Sequence, residues 1–348
     1  MQTIFNSKVK ETLYIEKLKN GLTVMIIPKK GIQKKYIIWG THYGSNDNKF
    51  VVPGENEPIE VPKGVAHFLE HKMFEQENGR NSLDTLTSIG VNANAYTTND
   101  HTAYLYECTD NFYEALDEFM DYVQHPYFTD QNVEKEKGII GQEIKMYDDY
   151  PEWRVYLNAM EAMYYKNPVK LDITGTVKTI SHIDKDILYK CYNTFYNPSN
   201  MCLVVSGDFE PEKLLEEIKK RLLDTAQNGE IKRIFEDEPE RIVKQKIEQN
   251  MNVSKPIFTI GIKCKVPNQN EKVRIHIAME IILNMLIGES SNLYKEMYQT
   301  GNMFAMPNLS YEFGDNYAHI LITENANDPD ILFERLREEI ETFKKNGL

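Results

Sequence analysis

The stretch His67-Phe68-Leu69-Glu70-His71 is the part of the sequence from which the fold and the chemistry of this chain can be argued. It follows Pro62, and the pattern predicts a helix that begins after this proline. In a helix His67, Glu70 and His71 stand at positions i, i+3 and i+4, so they share one face. Two imidazoles one turn apart can bind one zinc ion, and a carboxylate between them can take a proton from a metal-activated water. The motif therefore predicts a zinc hydrolase site.

Two glutamates on a later predicted helix are the best local candidates for the third protein ligand that such a site usually needs. Glu136 and Glu143 lie two helical turns apart, with Ile140 between them on the same face. Gly138 and Gly141 each weaken this helix by roughly 1 kcal/mol relative to alanine, which makes sense if another helix packs closely there. Spacing alone leaves the choice between Glu136 and Glu143 open.

The order of predicted elements repeats along the chain, which indicates two related domains. A helix, a short helix, a hairpin and a helix follow one another in the first half, and the same order returns roughly 200 residues later. We therefore predict an α+β fold with two duplicated domains, each a mainly antiparallel sheet packed with helices. The predicted division is a zinc-bearing domain at 1–225, a polar linker at 226–243 and a related non-metal domain at 244–348. The second half stops at its fourth element, so we expect the second domain to be truncated.

Composition and charge exclude several classes of protein. The net charge is −13, and no basic cluster with interleaved aromatic residues occurs, so we expect no nucleic-acid partner. The longest apolar run, near residues 277–287, is about half of the roughly 20 residues that a membrane span needs, so we expect no membrane association. The first residues do not resemble a secretory signal. Four unclustered cysteines indicate reduced thiols, which predicts a cytoplasmic protein.

Further segments around the motif carry a resemblance to a known family. They are Tyr43-Gly44-Ser45, Gly64-Val65-Ala66, Asn92-Ala93-Asn94-Ala95-Tyr96-Thr97, Glu136-Lys137-Gly138-Ile139-Ile140-Gly141-Gln142-Glu143-Ile144-Lys145-Met146 and Gly207-Asp208-Phe209. With them the chain resembles the pitrilysin/insulinase family of zinc peptidases, strongly through residue 210 and weakly after it. The resemblance implies one zinc ion per chain, bound by His67, His71 and Glu143. It also implies that Glu70 is the general base. Glu136 would be a second glutamate of the catalytic site, with a supporting role.

The resemblance also implies how substrate is held. In the family, the stretch that matches Asn94-Ala95-Tyr96-Thr97 is an edge strand that pairs with an extended peptide. Such strand addition holds any peptide through main-chain hydrogen bonds and leaves specificity to side-chain pockets. The implied activity is that of a zinc metalloendopeptidase acting on peptides or unfolded segments.

One departure from the family pattern bears on partners. Single-chain members carry an Arg and a Tyr in the second half, which hold the substrate backbone and stabilise the charged intermediate. Here Tyr298 stands where the Arg is expected and Phe304 where the Tyr is expected. Two-component members place the zinc motif on one subunit and the Arg and Tyr on a related partner, so we expect this chain to be the zinc-bearing half of a heterodimer.

Other interpretations stay open at this point. The chain could act as a homodimer or monomer that uses other donors, such as Lys295. It could be a non-catalytic assembly subunit of the same fold, although the intact motif argues against this. It could also be a small-molecule zinc hydrolase, which would have a closed pocket in place of a long groove.

Overall fold

The computed structural model describes residues 1–77, 79–225 and 229–347. Positions 226–228 of the predicted linker lie outside the described residues. The strands are β1 (Gln2–Asn6), β2 (Glu11–Lys17), β3 (Thr23–Pro28), β4 (Lys35–Thr41), β5 (Lys49–Val51), β6 (Pro58–Glu60), β7 (Asn92–Thr97), β8 (Thr102–Cys108), β9 (Met201–Gly207), β10 (Lys232–Arg233), β11 (Ile257–Lys263), β12 (Asn308–Phe313) and β13 (Ala318–Asn325). The helices are α1 (Val65–Lys72), α2 (Ser82–Ser88), α3 (Phe112–Gln124), α4 (Asp130–Asp148), α5 (Pro151–Met163), α6 (Val177–Ile180), α7 (Lys185–Phe195), α8 (Pro211–Arg221), α9 (Lys272–Ile287), α10 (Asn292–Gln299) and α11 (Pro329–Asn346).

The first structural unit comprises Met1–Ile144 and Asp172–Ile234. Its main sheet has seven strands in the order β1-β2-β3-β9-β4-β8-β7, and every neighbouring pair is antiparallel except β3 and β9. A second sheet has the order β10-β5-β6. Helix α3 shows how the helices pack, because its buried residues Leu116, Phe119, Met120 and Val123 recur at helical spacing along one face. Strand β7 is left at the edge of the main sheet.

The second structural unit comprises Lys145–Leu171 and Phe235–Leu348. Its sheet has the order β11-β13-β12, and both pairings are antiparallel. Residues of this sheet and of α9, α10 and α11 form one buried apolar cluster. The order α9, α10, β12–β13 hairpin and α11 repeats the order α1, α2, β7–β8 hairpin and α3. The predicted α+β fold and the repeat of its elements are thereby confirmed.

The two units divide the chain differently from the predicted boundaries. Lys145–Leu171 group with the second unit, although the sequence-based boundary placed them in the first domain. Two residues within the predicted linker make tertiary contacts: Arg233 Nε donates to Asp47 Oδ1 at 2.9 Å in the first unit. In the second unit, Glu238 accepts hydrogen bonds from three successive backbone N–H groups, those of residues 165–167. These polar residues therefore carry tertiary contacts that their low hydrophobicity did not indicate.

Candidate metal centre and active site

Helix α1 begins where the backbone makes a turn that favours glycine. Gly64 has φ 92°, a left-handed conformation that L side chains rarely adopt. A β-carbon on Gly64 would lie 2.5 Å from the carbonyl oxygen of Thr174, and one on Gly175 would lie 2.5 Å from that of Lys63. The two segments therefore pack backbone to backbone. This contact fixes the start of α1, and with it the direction in which the helix presents its polar face.

The polar face of α1 meets Glu143 of α4. Nε2 of His67 lies 3.6 Å from Oε1 of Glu143, and Nε2 of His71 lies 3.6 Å from Oε2 of the same carboxylate. One ligating atom from each of the three residues lies within 4.8 Å of the others. Ligands held at 2.0–2.2 Å from a tetrahedral zinc ion are roughly 3.3–3.6 Å apart. The donor set of two imidazoles and one carboxylate, and these separations, therefore fit a zinc ion.

Glu136 occupies a different position from Glu143. Its Oε1 lies 3.1 Å from Nδ1 of His71, the ring nitrogen that points away from Glu143. A carboxylate at this nitrogen fixes the ring and leaves Nε2 free to ligate, an arrangement that recurs around metal-binding histidines. By contrast, Nδ1 of His67 is buried and makes no hydrogen bond with any residue that the structure describes. The geometry thus separates the two glutamates that spacing alone could not distinguish.

Lys72 is a charged residue of this region that the sequence analysis did not single out. Its side chain is fully buried, with Nζ 2.5 Å from Oε2 of Glu75 and 3.9 Å from Oε2 of Glu136. A buried ammonium group requires such partners, and here it places positive charge beside the carboxylate that contacts His71. The available signal was a lysine next to His71 with an acid three residues later. That spacing is ordinary on exposed helices, which is why it carried no weight.

Burial and neighbouring charges set the proton affinities at the site. Burial, helped by the adjacent His71, lowers the pKa of His67 to about 3, so this imidazole is neutral near pH 7. Burial raises the pKa of Glu70 and of Glu143 above the usual range. Burial opposes protonation of His71, but its hydrogen bond to Glu136 and the neighbouring carboxylates outweigh this and raise its pKa. A neutral imidazole among several carboxylates is a favourable environment for a cation.

Glu70 faces the edge strand β7. Its Oε2 accepts a hydrogen bond of 2.7 Å from Oγ1 of Thr97, the last residue of that strand. Among the described residues, β7 pairs on one side only, with β8. Asn94 and Ala95 line a cavity of about 370 Å³ that Glu70, His71 and Glu136 also line. The structure therefore brings most of the predicted peptide-binding strand to the same place as the predicted catalytic groups.

The side chain of Tyr96 lies on the opposite face of β7 from that of Thr97. Because successive side chains of a strand alternate, Tyr96 points away from the face that carries Thr97. Its ring packs edge-to-face on His101, with the ring centroids 5.5 Å apart. Tyr96 can therefore contribute main-chain groups to a peptide at the β7 edge.

Comparison with known proteins identifies the family. Residues 56–177 match the family described as insulinase (peptidase family M16), and residues 182–348 match the one described as peptidase M16 inactive domain. The Bacillus subtilis protein described as uncharacterized zinc protease YmfH is 44% identical over 336 residues, which cover 94% of this chain and 77% of that protein. The chain belongs to peptidase family M16. The name of this relative indicates zinc use and proteolysis in the family, and the cluster of His67, His71 and Glu143 is a candidate zinc site in this chain.

Two further comparisons extend the M16 assignment. A crystal structure described as that of a "putative M16-like peptidase from Alicyclobacillus acidocaldarius" superposes with a TM-score of 0.92 and 33% identity, covering 97% of this chain and 80% of that chain. An Arabidopsis thaliana protein described as "Probable mitochondrial-processing peptidase subunit beta" is 28% identical over 45% of this chain and 30% of its own length. The M16 fold therefore extends over nearly the whole chain.

Two residues of the second unit occupy the positions at which the family resemblance led us to expect Arg and Tyr. Tyr298 lies on α10, is more than half exposed and stacks on Tyr294 with the ring centroids 5.8 Å apart. The ammonium group of Lys255 lies over the ring of Phe304, 3.0 Å from the ring centroid, in a cation–π contact. Neither side chain can provide the donors of the Arg and Tyr that it replaces.

In the described part of the chain, no helix is both long enough and apolar enough to span a membrane.

Proposed function

We propose that this chain is a zinc metalloendopeptidase that cleaves peptides or unfolded segments. The observation that carries the proposal is the convergence of His67, His71 and Glu143 at distances that suit one zinc ion. Glu70 stands on the same face of α1, between the two imidazoles in sequence. Metal ligands beside a buried carboxylate are the combination that metal-assisted peptide hydrolysis requires.

Each residue of the proposed site has a separate task. A zinc ion bound there would act as a Lewis acid and lower the pKa of a water molecule. Glu70 accepts a proton from the attacking water, whose oxygen bonds to the scissile carbonyl carbon. Glu70 then passes that proton to the amine nitrogen, which leaves as the C–N bond breaks. Glu136 accepts a hydrogen bond from Nδ1–H of His71 and so selects the tautomer of the neutral ring in which Nε2 carries the lone pair for the metal.

The open edge of β7 supports a peptide substrate over a small molecule. A peptide added to this edge gains main-chain hydrogen bonds whatever its sequence. Asn94, Ala95, Tyr96 and Thr97 supply that edge, and the adjacent cavity of about 370 Å³ is large enough for a substrate side chain. A non-catalytic assembly subunit would need neither the metal cluster nor a base beside it.

We further propose that the active enzyme is a heterodimer with a related subunit. Tyr298 has no positive charge and Phe304 has no hydroxyl group, so this chain lacks two donors that would stabilise the oxyanion. A partner that supplies an Arg and a Tyr would complete the site. The similarity to a protein described as a processing-peptidase subunit supports this arrangement.

None of the four cysteines forms a disulfide bond, which supports a reducing compartment such as the cytoplasm.

Peptide-library cleavage tests the proposal. The full-length chain is stripped of metal and assayed alone, with zinc, with its related partner, and with both. Cleavage that requires zinc and rises strongly when the partner is added is the expected result. Strong zinc-dependent cleavage by the chain alone would contradict the heterodimer, and no zinc-dependent cleavage under any condition would contradict the peptidase function.

A further inference from the structure

The side chain of Thr97 contacts Glu70 from the proposed peptide-binding strand. Its Oγ1 lies 2.7 Å from Oε2 of Glu70 and 3.1 Å from Oγ1 of Thr102. Thr102 is fully buried, and its Oγ1 lies 2.9 Å from the carbonyl oxygen of Tyr43. The three contacts form a continuous line from a backbone carbonyl to the proposed general base.

The direction of these hydrogen bonds follows from the atoms involved. The Tyr43 carbonyl can only accept, so the single hydroxyl proton of Thr102 is directed to it. Thr102 then offers Thr97 an oxygen but no proton. A carboxylate likewise only accepts, so the single hydroxyl proton of Thr97 is directed to Glu70. The 3.1 Å approach of Thr97 Oγ1 to Thr102 Oγ1 is then a contact between two oxygen atoms with no proton between them.

Strand pairing and a restricted side-chain rotamer fix the position of the Thr97 hydroxyl group. Thr97 is paired with Thr102 in the register of β7 and β8, and β-branched side chains have restricted χ1 rotamers. A charged acceptor makes the hydrogen bond to Glu70 stronger than one between neutral groups. One oxygen of Glu70 is thus tied to the sheet through Thr97, which restricts the orientation of the carboxylate.

We propose that Thr97 is a positioning residue for Glu70, in addition to supplying main-chain groups at the β7 edge. The inference rests on the proposed role of Glu70 as general base. It assigns the Thr97 hydroxyl to the orientation of the base, and it links the strand that receives the peptide to the carboxylate that moves the proton. Loss of the hydroxyl group then lowers kcat and leaves KM and zinc affinity nearly unchanged.

The variants Thr97→Val, Thr97→Ser and Thr12→Val test this proposal in the full-length chain with its partner. Valine keeps the shape of threonine without the hydroxyl, serine keeps the hydroxyl, and Thr12 is a control on β2 of the same sheet. A misplaced catalytic group typically costs up to about 100-fold in rate. We expect Thr97→Val to lower kcat roughly 10–100-fold, with KM and zinc affinity within about twofold of wild type. Thr97→Ser should recover most of the rate, and Thr12→Val should match wild type.

The possible failures are distinguishable. Unchanged kcat in Thr97→Val would overturn the positioning role alone, as would a loss confined to KM, which would make Thr97 a substrate contact. Weakened zinc binding in Thr97→Val would also overturn it, because the hydroxyl would then support the metal site. Absence of cleavage in the wild-type complex would overturn the proposed function and this inference together.

Discussion

Replacing Glu143 with glutamine tests which glutamate ligates zinc. In the structure one carboxylate oxygen of Glu143 lies 3.6 Å from Nε2 of His67 and the other lies 3.6 Å from Nε2 of His71. The amide keeps the shape but removes the negative charge and replaces one oxygen with an NH₂ group. Loss of a residue that merely orients a ligand typically costs about 10–100-fold in metal affinity. Because Glu143 would be a ligand itself, we expect at least a roughly 100-fold loss, or about 2.7 kcal/mol.

The assay for this prediction is competition for zinc between the metal-free protein and a chromogenic chelator at pH 7. Two glutamates on the same helix serve as controls. Glu134 is mostly exposed and pairs with Lys137, so Glu134→Gln should bind zinc like wild type. Glu136→Gln should show an intermediate loss, since it removes the carboxylate that orients His71. Full zinc affinity in Glu143→Gln together with a large loss in Glu136→Gln would refute the reasoning, because the two roles would then be exchanged.

Two further predictions concern stability, which urea-unfolding curves measure. Gly64→Ala combines a strained positive φ with a β-carbon 2.5 Å from the Thr174 carbonyl, so it should cost at least about 2 kcal/mol. Gly54→Ala, at φ 88° but in open space, should cost less, and equal losses would contradict the close packing. Burial would raise the pKa of Glu238, but Lys263 and three backbone N–H groups lower it to about 2. Its stabilisation is therefore complete above about pH 4.5 and lost as pH falls toward 2. Glu238→Gln should be less stable than wild type at pH 7, by an amount that shrinks below pH 4.5, and a difference independent of pH would contradict this.

The sequence predicted the parts of the fold and site that follow from local spacing. Helical periodicity alone places His67, Glu70 and His71 on one face, and it places Glu136 and Glu143 two turns apart on another helix. Spacing could not show that α4 presents Glu143 to both imidazoles and Glu136 to the far side of His71. That difference depends on how α1 and α4 pack, which is a long-range property.

Other features were missed because their signals are ambiguous in sequence. Lys72 reads as a solvated helix residue, and only the packed structure shows that it is buried against two carboxylates. The grouping of residues 145–171 with the second unit depends on long-range packing, which local sequence patterns do not show. For Thr97 a signal did exist: it lies on the same face of β7 as Ala93 and Ala95, the less polar face, and so should point inward.

The measurement that tests the central claim most directly is a comparison of zinc content and peptide cleavage in Glu70→Gln and wild type, each with its partner. Glu70 is not among the three residues whose atoms converge as candidate ligands, so the variant should retain one zinc ion per chain. Without the carboxylate that accepts the proton, cleavage should fall by about 10²–10⁴-fold or more. Near-normal cleavage by zinc-loaded Glu70→Gln would contradict the account.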